Sequence, residues 1–162
     1  GYSSAASDVY KRQARETRAI AGWFESDRDT DTRLNKWGRE IYPKCAYNTL
    51  MLRKERYGNI PIYVTENGHG CYDVPDENGY VEDDDRIAFL NDYIGWILKA
   101  KEDGVNVKGY YCWSTMDLYS WINGYKKRYG LVRVDYEDGL LRRIPKKSYY
   151  WYRDFIAEHK DV

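Results

Sequence analysis

What most restricts the fold of this chain is a pair of short apolar runs on either side of one long helical pattern. The first run, Ile60-Pro61-Ile62-Tyr63-Val64-Thr65, is rich in β-branched residues and bounded by Gly-Asn before and Asn-Gly after. That length and composition predict a buried strand. The second run, Val105 to Trp113, predicts another. Between them Ile87, Leu90, Tyr93, Ile94, Ile97 and Leu98 recur at helical spacing. Asp83, Asp84 and Asp85 put negative charge at the positive end of that helix, and Gly104 closes it. Another helix precedes the first run. Pro43 suits an opening turn, where its missing N–H would be unpaired anyway, and Ala46, Leu50, Leu52 and Tyr57 repeat until Gly58. The order helix, strand, loop, helix, strand implies βα units and a parallel sheet.

Outside this centre the pattern is looser. Residues 1–13 (GYSSAASDVYKRQ) are small and polar without periodicity, and are expected to be a non-native leader, leaving 14–162 as the folded part. The segment up to Lys36 is charged and predicts a solvated loop, with one further strand near Ala19 to Phe24. Later, Leu131 to Val134 and Leu140 to Ile144 predict a hairpin around Glu137-Asp138-Gly139. A last helix begins near Lys147, with Tyr150, Trp151, Phe155 and Ile156 on one side.

Charge and composition exclude several classes. The 162 residues carry 26 Lys and Arg against 26 Asp and Glu, a formal net charge of zero. Such a chain has no long-range attraction for nucleic acid or an anionic membrane. No apolar run approaches the ~18 residues of a membrane helix, and no signal-peptide pattern occurs. Cys45, Cys71 and Cys112 lie far apart and cannot all pair, so a reduced, cytoplasmic chain is expected. No His or Cys pair has metal-ligand spacing and no Gly-rich phosphate loop is present, so no metal or cofactor is implied. Tyr, at 18, and Trp, at six, far outnumber the three Phe. Flat rings with a polar edge suit sugar stacking, and they equally suit half-buried packing.

In parallel α/β folds, ligands gather at the carboxyl ends of the strands. The first run closes on Thr65-Glu66-Asn67-Gly68, where a carboxylate after an apolar strand is costly to desolvate. Taken alone, a capping or salt-bridged Glu is the simpler reading. The second closes on Tyr111-Cys112-Trp113-Ser114 and leads into a long aromatic and polar loop. The stretch IYVTENGHG, then GYYCWSTMDLYSWINGYKKRYGLVRVDY, then PKKSYYWYRDFI, resembles the C-terminal third of the family 1 glycoside hydrolases, from about Trp37 to Phe155. The resemblance implies an α/β fold of the (β/α)8 TIM-barrel type, here incomplete, with about strands 6–8 and their helices.

Carried over by that resemblance, Glu66 is the catalytic nucleophile of a retaining glycosidase. Such an enzyme needs a carboxylate about 5–5.5 Å from an acid partner, attacking the anomeric carbon to give a covalent glycosyl-enzyme. Trp113 is the platform beneath the sugar, preceding a Trp-Ser link that is prone to cis in the family. Members that cleave plain glucosides usually read Phe-Glu-Trp where this chain has Tyr119-Ser120-Trp121. Ser120, Lys127 and Tyr129 are similar to the phosphate-binding trio of the 6-phospho-β-glycosidases. A Glu at position 120 would repel a sugar phosphate, whereas a hydroxyl, an ammonium and a phenol offer donors. Lys126 and Arg128 are expected to be flanking surface charges. Trp121 would lie by the O3 and O4 edge of the sugar, a placement compatible with gluco- and galacto-configured rings alike. His69 could touch the aglycone, although a lone His in a loop is more often structural, and His159 is expected to be a positive partner at a helix end.

The family's acid/base lies in an Asn-Glu-Pro motif, which this sequence lacks. A whole barrel of this type needs about 250 residues. The chain is therefore expected to be the C-terminal portion of a larger enzyme acting on 6-phospho-β-glucosides. A 6-phospho-β-galactosidase or an unphosphorylated β-glucosidase is the alternative. A reading of another class is a non-catalytic barrel fragment, inactive alone. The expected partner is a small phosphorylated β-glycoside, with neither nucleic acid nor membrane, and oligomeric state left open.

Overall fold

The computed structural model describes residues 33–137 and 139–159. The leader expected over 1–13 and the strand expected near Ala19 to Phe24 lie outside them. Residues 33–42 belong to a unit of their own. There Leu34 and Glu40 form an antiparallel bridge around a turn whose Asn35 side chain accepts the N–H groups of Trp37 and Arg39.

From Pro43 onward the order is α1 (Lys44–Tyr57), β1 (Ile62–Asn67), α2 (Asp84–Glu102), β2 (Val107–Cys112), β3 (Val132–Val134), β4 (Arg143–Pro145) and α3 (Lys147–Glu158). Strands β1 and β2 pair in parallel, Ile62 with Val107, Val64 with Tyr110 and Asn67 with Cys112, joined through α2. This is the βαβ unit implied by the order of elements. The described residues form an incomplete α/β piece with no closed barrel. None of their helices is long and apolar enough to cross a membrane.

The core lies between the helices and one face of the sheet. Leu50 of α1 and Ile97 and Ala100 of α2 meet Val105 and Val107, with Tyr47, Met51, Ile62, Val64 and Tyr110 packed around them. The strands are not buried on both faces as expected. Pleating sends Ile62, Val64 and Tyr110 toward the helices, while Tyr63, Thr65 and Tyr111 stay exposed on the strands. In α1, Leu52 and Tyr57 are exposed as well. Residues 46, 47, 50 and 51 share one helical face and 52 rotates off it, whereas Tyr57 is the last residue of the helix. In α2 the buried face adds Phe89, Ala100 and the charged Arg86 to the expected stripe, and Ile87 and Leu98 are only half-buried.

The hairpin forms with a shifted register. Val132 faces Pro145, Arg133 faces Ile144 and Val134 faces Arg143. Leu140 is exposed and Leu141 has φ 53°, a left-handed backbone that cannot extend a strand, so β4 starts only at Arg143.

Candidate active site at the ends of the parallel strands

Glu66 stands at the carboxyl end of β1 with its side chain exposed. Its neighbour Asn67 ties β1 to β2: Trp113 N–H donates to the Asn67 carbonyl at 2.8 Å, and the Tyr110 hydroxyl donates to Asn67 Oδ1 at 2.8 Å. Gly68 then passes hard against the second strand end. A Cβ there would fall 1.7 Å from the Trp113 carbonyl oxygen, so only glycine fits. Trp113 is 40% exposed, and its peptide bond to Ser114 is cis. The carboxylate and the indole therefore close adjacent strands.

Backbone pairing carries the later residues to the same end. Ser114 N–H donates to the Tyr129 carbonyl at 3.2 Å, Leu131 N–H to the Ser114 carbonyl at 2.9 Å, and Asp117 N–H to the Val132 carbonyl at 2.9 Å. Residues 114–117 thus run beside 129–132. Between these segments, Ser120 and Gly124 exchange backbone hydrogen bonds at 2.9 and 2.7 Å, folding residues 121–123 outward. Trp121, at that tip, is 96% exposed. Ser120 itself turns inward and is buried, its hydroxyl accepting the Asn123 N–H at 3.4 Å, and it acts on the Tyr129 phenol to lower its pKa. The Lys127 ammonium, also buried, sits 5.3 Å from the centre of the Tyr129 ring. Burial lowers the Lys127 pKa below that of an ordinary lysine. Burial also raises the Tyr129 phenol, against the opposing pull of Ser120, so it keeps its proton. The structure therefore gathers Ser120, Lys127 and Tyr129 into one donor cluster and leaves Trp121 beside it in solvent.

Under the cluster lies a buried ionic network that sequence reasoning missed. Asp117 accepts Gly130 N–H at 2.9 Å and the Lys146 ammonium at 2.8 Å. Lys146 also pairs with Asp73, and Arg86 with Asp83. Asp83 does not cap its own helix; its carboxylate accepts the Ser148 N–H at 2.8 Å and hydroxyl at 2.6 Å, capping α3 instead. Arg128 is no surface charge. It lies 3.6 Å from Asp117 and 4.8 Å from the Tyr136 ring centre, and donates to the Val134 carbonyl at 3.2 Å. A signal for Arg86 was present in the sequence: at 86, 90, 93, 97 it continues an apolar helical stripe, and a charge there needs a buried partner. His69 is buried and stacked on Phe89 at 4.8 Å, and His159 ends α3 stacked on Phe155 at 4.1 Å.

The arrangement offers an exposed carboxylate, an aromatic platform on the next strand, and a half-buried set of donors carrying one positive charge. These suit attack on a neutral carbon and capture of a small anion. The chain is 44% identical over 145 residues to a 6-phospho-beta-galactosidase of Staphylococcus epidermidis and to another of Staphylococcus haemolyticus. In each case the match covers 88% of this chain and 30% of the relative, so the chain spans about a third of the length of these relatives. Among solved structures it is similar to the family 1 β-glucosidase from Thermotoga maritima, with TM-score 0.76 and 41% identity over 82% of this chain and 30% of that one. The same enzyme in complex with isofagomine lactam matches with TM-score 0.76 and 39% identity, over 86% and 30% respectively. The model of Glycosyl hydrolase family 1 matches residues 2–161, and with those likenesses it establishes that the chain belongs to that family.

Proposed function

We propose that the protein containing this chain is a retaining β-glycosidase acting on 6-phospho-β-glycosides, with residues 14–162 as the C-terminal portion of its catalytic barrel. Glu66 is the nucleophile in this reading. It attacks the anomeric carbon and displaces the aglycone as a covalent glycosyl-enzyme forms, and water then releases the sugar with retained configuration. The proton for the leaving group comes from an acid/base carboxylate outside this sequence. Trp113 supports the sugar ring, Trp121 borders its O3 and O4 edge, and Ser120, Lys127 and Tyr129 hold the 6-phosphate. A reduced, cytoplasmic setting is supported by the free thiols of Cys45, Cys71 and Cys112.

The observation that carries the reading is the clustering of Ser120, Lys127 and Tyr129, linked through Ser114 and Trp113 to the strand end that bears Glu66. The names of the staphylococcal relatives favour a galacto-configured sugar over a gluco-configured one. Ser120→Glu in the full-length enzyme tests the phosphate assignment. The added charge should repel the phosphate and shift preference toward unphosphorylated aryl β-glycosides. An unaltered ratio of kcat/KM for the two substrates would remove the phosphate from the reading.

A further inference from the structure

The loop after Glu66 and the arm bearing Lys127 and Tyr129 come together at Gly70. A Cβ on Gly70 would lie 2.4 Å from Lys127 Cε, 2.9 Å from Lys127 Cγ and 3.0 Å from Tyr129 Cε1. The Lys127 stem therefore lies along the bare Cα of this glycine. Gly70 is not among the positive-φ glycines, so its backbone would accept alanine and only the side-chain contact opposes it.

Neither backbone can retreat to make room. Cys71 N–H donates to the Arg128 carbonyl at 2.8 Å, and Arg128 N–H returns to the Cys71 carbonyl at 3.0 Å. Fully buried Arg86 adds a second fastening. Its Nε donates to the His69 carbonyl at 3.3 Å, and its Nη2 to the Arg128 carbonyl at 2.9 Å. One guanidinium thus bridges the loop after Glu66 and the arm between Lys127 and Tyr129.

We infer that Gly70 is a specificity-determining position: its missing side chain is the seat that sets where Lys127 and Tyr129 present their polar ends to the sugar phosphate. The inference rests on the reading of Lys127 and Tyr129 as phosphate ligands. With the backbones fastened, a methyl group at 70 must displace the flexible Lys127 stem and carry its ammonium off the cluster. The three nearest atoms belong to Lys127 and Tyr129, and none to Glu66 or Ser120. The loss should therefore fall on the phosphorylated substrate alone.

The test is Gly70→Ala in the full-length enzyme, assayed with 4-nitrophenyl β-galactoside 6-phosphate and with its unphosphorylated counterpart. KM for the phosphorylated substrate should rise by about tenfold or more, the scale of one lost charge-assisted hydrogen bond. The kcat/KM for the unphosphorylated substrate should hold. In a Lys127→Ala background Gly70→Ala should cost markedly less, because only the 3.0 Å approach to Tyr129 Cε1 is left. Equal losses on both substrates, or an undiminished cost in the Lys127→Ala background, would overturn the inference. If Gly70→Ala does not fold, the pair Gly70→Ala/Lys127→Ala must, and an unfolded pair also overturns it. A wild-type enzyme with no preference for the phosphorylated substrate would overturn the phosphate reading itself, and this inference with it. An intact preference that Gly70→Ala leaves unmoved overturns the inference alone.

Discussion

Glu66 combines an exposed carboxylate with a backbone held on both sides, by the β1–β2 ladder and by the close pass of Gly68 against Trp113. A group so presented can reach a substrate without moving the strand that carries it. Glu66→Gln preserves size and hydrogen bonding but removes the proposed nucleophile, so turnover in the full-length enzyme should vanish while substrate still binds in a calorimeter. Turnover at the wild-type rate would assign the attack to another residue. Lys127 makes a second prediction at this scale. Its lowered pKa means the ammonium is lost at a pH below the range of an ordinary lysine. The kcat/KM for a phosphorylated substrate should therefore fall on the alkaline side, and the unphosphorylated substrate should lack that limb. Coincident alkaline limbs would place the titration elsewhere. Glu66 was legible in the sequence because it closes an apolar strand, and Lys127 because its loop resembles a family motif. Their burial was not. Ser120 and Trp121 are adjacent in the chain, yet one is buried and the other almost wholly exposed, because the Ser120–Gly124 hydrogen bonds turn the loop between them.

The elements were readable wherever an apolar period ran for several turns, as in α2, and were misplaced where the backbone itself decided. The start of β4 is such a case, since the left-handed Leu141 has no side-chain signature. The helix starts fell where expected, but their capping did not. The acidic run at 83–85 reads as a local complement to α2, but Asp83 spends its carboxylate on Arg86 and on the first turn of α3. This cross-linking makes the network beneath the arm sensitive to truncation. Asp117→Ala would strip Gly130 N–H of its acceptor and Lys146 of one of two carboxylates, in a site closed to water. Denaturant unfolding should record a loss of about 3–5 kcal/mol, the usual cost of breaking a buried pair. Asp154→Ala, which removes an exposed partner of Arg153, should leave the unfolding midpoint essentially unmoved. Equal effects from the two would mean that the buried network carries no special weight.

At the scale of the whole molecule, the described residues leave one sheet face open, with Tyr63 and Tyr111 more than half exposed. An apolar groove lined by Ile94, Ile97, Tyr152 and Phe155 runs between α2, β2 and α3. In a closed (β/α)8 barrel such faces meet neighbouring strands and helices. The 162-residue chain alone should release no chromophore from aryl glycosides, since it holds Glu66 without the Asn-Glu-Pro acid/base. Mixed with the preceding portion of a family 1 enzyme, it should recover retaining activity that depends on Glu66. Hydrolysis by the isolated chain would show that an acid partner exists within these residues.

The sequence by itself determined the order of elements, the strand-end carboxylate and the chemical character of the loop beyond Trp113. All of these are written in local periodicity and short motifs, which depend only on neighbours in the chain. The tertiary structure alone decided that Arg86 reaches the Arg128 carbonyl 42 residues away, that Asp83 caps α3 from 65 residues away, and that Gly70 lies under Lys127. Contacts of that kind follow from how the elements close on one another. No local pattern encodes them, because each residue would read the same with its partner elsewhere.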